Sequence, residues 1–150
     1  MKTYTEEVAS KLNQLLEKSY DAEKGYHKAA ENVDHSGLKN FFNRKSNQRR
    51  DFGHEIKDEI RAFGQEVDKG GSLTGSAHRA WMDVKALFSG DDSESMLEEA
   101  IRGEKASVEE YDDVLKETSL PSSTRSILES QRNKIQGDLS EVKSLENLKD

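Results

Sequence analysis

Four long stretches of this sequence carry apolar residues three or four positions apart, and this spacing constrains the fold more than any other feature. It places the apolar residues on one face of a helix, so each stretch predicts a helix that buries a single face. The chain contains one proline, Pro121, which fits long uninterrupted helices. A hydrophobic fraction of 32% and a charged fraction of 35% also suit slender amphipathic helices.

The first two stretches predict an antiparallel helical hairpin. The inward-facing stripe of the first consists of Ala9, Leu12, Leu16, Ser19, Glu23, Tyr26, Ala30 and Val33. The stripe of the second consists of Leu38, Phe42, Lys45, Arg49, Phe52, Ile56, Glu59 and Phe63. Only a short break at residues 34–37 separates them, so the two helices are neighbours. Thr5 and Ser36 are the expected N-caps, and Gly64 ends the second helix.

Residues 65–92 interrupt this long pattern and predict a crossover. The glycine-rich segment "DKGGSLTGS" is followed by the shorter amphipathic run "AHRAWMDVKALF". Helices of about 30 residues are about 45 Å long, so a stretch of this length can carry the chain from one end of a bundle to the other. We expect the crossover to contain a short helix with Trp81 buried against the bundle, and to place helices two and three parallel.

A second hairpin follows the crossover. The third helix begins near Ser93, and its stripe consists of Leu97, Ala100, Glu104, Ser107, Tyr111 and Val114. The fourth opens with Pro121, and its stripe consists of Thr124, Leu128, Gln131, Ile135, Asp138, Val142 and Leu145. The order of hairpin, crossover and hairpin predicts an all-α four-helix bundle, with residues 1–150 forming one domain.

Two glutamates occupy stripe positions where the pattern calls for apolar residues. Glu23 in "AEKGYHKAAE" and Glu104 in "GEKASVEEYD" lie at equivalent places in the first helix of each hairpin. An ionised carboxylate in a bundle core is costly unless it is paired or bound to a metal. The two glutamates therefore predict a polar layer across the bundle.

The pattern resembles the ferritin-like superfamily of four-helix bundles, and more closely an uncharacterised bacterial branch of that superfamily. The resemblance runs along nearly the whole chain, notably in "AEKGYHKAAE", "FFNRKSNQRRDF", "GSLTGSAHRAWMDVK" and "IRGEKASVEEYDDVL". In metal-binding ferritin-like proteins, one helix of each pair supplies a glutamate and its partner supplies Glu-x-x-His. The resemblance therefore implies that Glu23 and Glu104 stand at positions of the first kind of ligand.

The second kind of ligand departs from the family pattern. The corresponding positions hold Arg49 and Phe52 on the second helix, and Gln131 and Lys134 on the fourth. An arginine keeps its proton and a phenylalanine has no lone pair, so neither binds a metal ion. The sequence favours a structural layer of Glu23, Arg49, Glu104 and Gln131 that holds no metal or other cofactor.

Two features of this predicted layer stay open at the level of sequence. Arg49 can fork between the two glutamates, and the remaining negative charge is offset by a proton, by water, or by Lys45 or Lys134. The alternative is an iron or manganese site in which Glu23 and Glu104 act together with His27, which lies one turn beyond Glu23.

Two functions follow as hypotheses. The first is a non-catalytic ferritin-like bundle that acts through protein contacts in a bacterial stress or maintenance setting. The second is a metal-binding oxidoreductase or metal-handling protein that uses Glu23 and Glu104. Ferritin-like bundles often pair along a helix face, so the resemblance also implies a homodimer.

Charge and hydropathy bear on partners and location. The acidic net charge of −7 argues against binding to nucleic acids or anionic membranes. No apolar run approaches the roughly 20 residues that span a bilayer, and the N-terminus lacks the core of a signal peptide. We therefore expect a cytoplasmic protein with an unidentified protein partner.

Overall fold

A computed structural model describes residues 3–33, 36–67, 93–117 and 119–149 of the chain. Four helices account for most of these residues, and we number them α1 (Tyr4–Asn32), α2 (Ser36–Ala62), α3 (Ser93–Glu117) and α4 (Ser122–Lys149). No strand occurs within these four ranges. The predicted all-α class is therefore confirmed, and the helix boundaries lie within a few residues of those predicted.

The helix ends follow local chemistry. The N-cap of α1 is Thr3, whose hydroxyl accepts a hydrogen bond from the Glu6 amide at 3.2 Å. The predicted cap, Thr5, is wrong because Thr5 already lies within the helix. Gly64 follows the end of α2 with a φ of 74°, the left-handed conformation that glycine adopts without a steric cost. Pro121 precedes α4, and its carbonyl oxygen accepts from the Arg125 amide at 2.9 Å.

The helices associate as two antiparallel hairpins. The first hairpin is α1 packed along α2, and the second hairpin is α3 packed along α4. Further contacts join α1 to α3 and α2 to α4, so the hairpins form a helical bundle. The single domain proposed for residues 1–150 stays a prediction.

Two apolar clusters fill the interior. The Val33-end cluster consists of Ala22, Tyr26, Ala29, Ala30, Val33, Leu38, Phe41, Phe42, Met96, Leu97, Ala100, Leu139 and Val142. The Pro121-end cluster consists of Val8, Ala9, Leu12, Leu15, Leu16, Phe52, Ile56, Ile60, Val108, Tyr111, Val114, Leu128 and Ile135. Most members come from the stripes that the sequence predicts, because the spacing of three and four determines which side chains face inward.

The membership of these clusters gives the helix directions. The Val33-end cluster draws on the C-terminal parts of α1 and α4 and on the N-terminal parts of α2 and α3. Helices α2 and α3 therefore run in the same direction, as the sequence predicts, and α2 ends at the opposite end of the bundle from the start of α3. The predicted crossover is described only as far as residue 67, and its short helix and Trp81 lie outside the described residues.

Candidate functional site

A layer of charged side chains separates the two apolar clusters. It consists of Lys45 and Arg49 on α2, Glu104 on α3 and Asp138 on α4, and we call it the charged layer. The side chains of Lys45, Arg49 and Glu104 are at most 2% exposed, and that of Asp138 is 13% exposed. Two cations and two anions give the layer a formal charge of zero, which limits the cost of burying it.

Glu104 lies at the centre of the charged layer. Lys45 Nζ donates to its Oε2 atom at 3.0 Å, while the Arg49 guanidinium and the Tyr26 hydroxyl both donate to Oε1. These donors come from α1 and α2, so the carboxylate links the second hairpin to both helices of the first. Charge-assisted hydrogen bonds of this kind stabilise the ionised carboxylate without a metal ion.

Asp138 completes the charge balance from the fourth helix. Its Oδ2 atom accepts from Lys45 Nζ at 2.8 Å and from Gln48 Nε2 at 2.7 Å, and Arg44 Nη1 lies 3.4 Å from Oδ1. Lys45 Nζ also donates to Gln48 Oε1 at 2.7 Å. All three protons of the buried ammonium group therefore have acceptors.

Arg49 is held by hydrogen bonds and by aromatic rings. Besides its bond to Glu104, it donates from Nη1 to Ser107 Oγ at 3.4 Å. Its guanidinium carbon lies 6.0 Å from the ring centroids of both Tyr26 and Phe52, within the range of cation–π attraction. The Nε atom has no hydrogen-bond partner among the described residues.

The electrostatics of the layer show competing effects of burial and pairing. Burial lowers the pKa of Lys45, assisted by the neighbouring Arg49 and opposed by the two carboxylates. Burial also acts to lower the pKa of Arg49, but the negative charge of Glu104 raises it overall. Burial acts to raise the pKa of Asp138, whereas the hydrogen bond and charge of Lys45 lower it overall. The paired, ionised form is therefore the state that Arg49 and Asp138 favour.

Tyr26 acts as a neutral donor to this layer. Burial, followed by the negative charge of Glu104, raises the pKa of Tyr26 well above its ordinary value. The phenol therefore keeps its proton and its hydrogen bond to Glu104 at neutral pH.

A second buried hydrogen-bond set lies within the Pro121-end cluster. Tyr111 donates its hydroxyl proton to Gln131 Oε1 at 2.6 Å, and Gln131 Nε2 donates to Glu55 Oε1 at 3.0 Å. Gln131 also donates to the Phe52 carbonyl oxygen at 3.4 Å. Burial raises the pKa of Tyr111 to about 12. This set links the same helices as the charged layer but contains no buried ion pair.

The structure brings together two of the four residues of the predicted layer. Arg49 and Glu104 meet directly, whereas Gln131 belongs to the second set. The Glu23 carboxylate is half-buried and makes no hydrogen bond or ion pair with a described residue. Ser46 Oγ donates to the Glu23 backbone carbonyl at 2.9 Å, which places this part of α1 beside α2. Partial exposure lets water solvate the Glu23 carboxylate, so its charge needs no buried partner.

His27 lies on the solvent side of α1. Its side chain is 62% exposed, and its Nε2 atom lies 2.8 Å from a carboxylate oxygen of Glu31 one turn further on. Among the described residues, no three histidine, aspartate or glutamate side chains are grouped in a way that could hold a metal ion. The structure therefore does not join His27, Glu23 and Glu104 into one ligand set.

From the sequence, Lys45 is predicted only as one source of compensating charge, and no role is predicted for Asp138. Both residues stand on predicted inward stripes, and that position was the available signal. A charge that is buried needs a partner from another helix. The stripes hold six charged residues on the four helices, namely Glu23, Lys45, Arg49, Glu59, Glu104 and Asp138. The role of Tyr26 had no such signal, because an inward tyrosine is ordinary in an apolar core.

Among the described residues, no helix combines the length and the apolar character that crossing a membrane requires.

Comparison with known proteins identifies one family. No curated protein matches the chain significantly. Residues 7–117 match the family described as Domain of unknown function (DUF2383), and this range includes Tyr26, Lys45, Arg49 and Glu104. Because the match covers well over half of the 150 residues, the chain belongs to this family.

Proposed function

We propose that this protein is a non-catalytic ferritin-like bundle that acts through contacts with other proteins. One observation carries the proposal: Lys45 and Arg49 both bind the carboxylate of Glu104. The resemblance implies that this glutamate stands at a ligand position of metal-binding ferritin-like proteins. The ammonium charge of Lys45 and the guanidinium charge of Arg49 repel a divalent cation. Their hydrogen bonds also occupy lone pairs of the Glu104 carboxylate. Protein cations thus take the electrostatic role that a metal ion has in those relatives.

The helix directions support the ferritin-like part of the proposal. Two antiparallel hairpins with α2 parallel to α3 require a long crossover between them, which is the arrangement expected from the resemblance. We propose that residues 65–92 form this crossover and include a short helix.

The burial of the layer supports a non-catalytic role. A substrate has to reach the reacting groups, whereas the side chains of Lys45, Arg49 and Glu104 are at most 2% exposed. Contacts made by the charged outer helix faces are the function that the burial of these side chains favours.

The proposed setting follows from the sequence and the resemblance. We propose a cytoplasmic protein of a bacterial stress or maintenance system, with a protein partner or a second copy of the chain as its binding partner. Light scattering coupled to size-exclusion chromatography distinguishes a homodimer from a monomer. A monomer at every concentration tested would leave a different protein as the partner.

Elemental analysis tests the central claim. The protein is purified without added metal, and a second sample is incubated with Fe(II) or Mn(II) and then desalted. We expect far less than one equivalent of metal per chain in both samples. Stoichiometric iron or manganese would overturn the proposal and favour the metal-binding oxidoreductase with Glu23, Glu104 and His27 as ligands.

A variant supplies the positive control for this measurement. Arg49→Glu removes the guanidinium and adds a third carboxylate beside Glu104 and Asp138. We expect this variant to retain more metal than the natural chain, because hard divalent cations favour clustered carboxylate oxygens. Asp51→Glu, an exposed change on the same helix, is the matched control and should retain none.

A further inference from the structure

Asp21 is a buried carboxylate on the outer side of α1. It is 4% exposed, and Gly25, one turn further along the helix, is also buried. Gln14, Lys18 and Lys28 lie on the same helix face, because they stand three or seven positions from Asp21, yet all three are exposed. A helix packed along α1 would bury this face at every turn. Burial confined to one place on the face therefore indicates a chain segment that crosses α1 there.

The outer face of α4 has no comparable burial. The buried residues of α4 in the range 122–142 are three or four positions apart and form a single inward stripe. They are Thr124, Leu128, Gln131, Ile135, Leu139 and Val142. Helices α2 and α3 lie diagonally across the bundle, since each contacts α1 and α4. A connection from α2 to α3 therefore passes over α1 or over α4, and the burial of Asp21 favours α1.

The chain that leaves α2 turns toward α1. The carbonyl oxygen of Glu66 accepts a hydrogen bond from Asn13 Nδ2 at 3.1 Å, so the chain lies beside α1 at this point. Asp21 stands about 12 Å further along α1 than Asn13, at about 1.5 Å per residue. Helix α3 begins at Ser93, at the opposite end of the bundle from the end of α2. Residues 68–92 therefore have to pass the level of Asp21.

From these observations we propose that the α1 face around Asp21 and Gly25 is the docking surface for residues 77–88 of the crossover. A buried carboxylate needs a cation within hydrogen-bond distance, and this amphipathic run supplies permanent cations at Arg79 and Lys85. Glycine at position 25 has no side chain, so another segment can approach the backbone of α1 closely. The inference rests on the crossover proposed above and names the surface that it occupies.

Engineered disulfide bonds map this docking surface in the full-length protein, because the natural chain contains no cysteine. Lys18→Cys or Lys28→Cys, on either side of the buried place, is combined with a cysteine placed in turn at each residue of 77–88. We expect at least one pair to form a disulfide bond within one chain, because such bonds need Cα atoms within about 7 Å. Peptide mass spectrometry identifies the linked residues. Glu129→Cys, exposed on α4, is the matched control and should form no link.

The pattern of links separates the possible occupants. Any link from α4 would overturn the α1 surface but keep the crossover. Links from neither helix would overturn both the surface and the crossover. Links between two chains, seen as a doubled mass on a non-reducing gel, would give the surface to a second copy and would also overturn the proposal. None of these results depends on metal content, so they are distinct from a failure of the non-catalytic proposal.

A double-mutant cycle tests the charge pair. Asp21→Asn is combined with Arg79→Met and, separately, with Lys85→Met, and circular dichroism gives the Tm of each variant. We expect one of the two combinations to lower the Tm by less than the sum of its single changes, because the partners share one interaction. Arg61→Met, exposed on α2, is the matched control, and its effect should add to that of Asp21→Asn. Additive effects in both combinations would overturn the assignment of a crossover cation to Asp21.

Discussion

Lys45 Nζ lies 3.0 Å from Glu104 Oε2, and this ion pair joins the two hairpins where neither side chain is more than 1% exposed. Water cannot replace either partner at this depth. Removing one charge therefore leaves the other buried without compensation, which is far more costly than losing a surface ion pair.

The Arg49→Met variant tests the guanidinium. Methionine keeps much of the apolar volume of the side chain but cannot donate the hydrogen bonds that Arg49 makes to Glu104 and to Ser107. We expect the free energy of unfolding to fall by about 3–5 kcal/mol. Urea denaturation monitored by circular dichroism measures the change. Arg50→Met on the exposed face is the matched control, and an equal loss in both variants would contradict the role given to Arg49.

Glu104→Gln tests the central anion. The change leaves Lys45 and Arg49 buried with Asp138 as their one remaining anion, so the free energy of unfolding should fall by about 3–5 kcal/mol. Glu109→Gln, on the solvent side of the same helix, should change it by less than about 0.5 kcal/mol. Chemical denaturation of the two variants in parallel makes the comparison, and indistinguishable midpoints would count against a buried role for Glu104.

Replacing all four side chains of the charged layer should lower the free energy of unfolding much less than replacing one of them. The variant K45M/R49L/E104L/D138N leaves no uncompensated charge, and apolar replacement of buried ion pairs is often neutral or stabilising by about 1–4 kcal/mol. We therefore expect this variant to be more stable than Glu104→Gln in the same urea titration. A larger loss than in the single variant would show that the layer itself supplies net stability.

The pKa of Asp138 predicts a loss of stability in acid. Burial acts to raise this pKa, but the hydrogen bond and charge of Lys45, together with Gln48 and Arg44, lower it overall. A carboxyl group with a lowered folded-state pKa stabilises the protein above its unfolded pKa, about 3.9, and loses that contribution as the pH falls through the folded value.

We therefore expect the difference in unfolding free energy between the natural chain and Asp138→Asn to narrow below about pH 4. Urea midpoints at neutral and acidic pH measure it. Glu129→Gln, an exposed change on α4, controls for the general effect of losing a carboxylate. A difference that stays constant down to the acid limit would exclude a paired Asp138 in the folded state.

Tyr26 and Tyr111 should resist ionisation in the folded protein. Burial raises the pKa of Tyr111 to about 12, and burial with the negative charge of Glu104 raises the pKa of Tyr26 well above its ordinary value. At about pH 11, both phenols should still carry their protons in the folded protein. We therefore expect the folded Tyr26→Phe and Tyr111→Phe variants to have the same tyrosinate absorbance as the natural chain. Since the unfolded tyrosines ionise first, stability falls as the pH rises above about 10.

Two glycines should respond to alanine in opposite ways. A Cβ atom at Gly53, inside α2, would lie 3.6 Å from Leu16 Cδ1, which is ordinary van der Waals contact. Gly53→Ala should therefore raise the free energy of unfolding by about 0.5–1 kcal/mol through helix propensity. Gly64→Ala should lower it by about 1 kcal/mol, because Gly64 has a φ of 74°. Thermal unfolding of both variants gives the signs, and a loss at Gly53 would indicate a tighter helix contact.

The sequence by itself determined the secondary structure and most of the side chains that face inward. The three-four spacing identified four helices, and the short link at residues 34–37 made the first two antiparallel. It also placed Lys45, Arg49, Glu104 and Asp138 on inward stripes, because the face of a helix that a residue occupies depends on local geometry alone.

Only the tertiary structure decided which inward residues meet. Periodicity gives the face of a helix but not how far that helix is shifted along its neighbours, and a shift of three residues moves a side chain by about 4.5 Å. The axial positions of α1 and α3 bring Tyr26, not Glu23, to Glu104. Those of α2 and α4 bring Lys45 between Glu104 and Asp138 and leave Gln131 with Tyr111. Axial shift follows from the summed fit of all four helices, so no local stretch of sequence contains it.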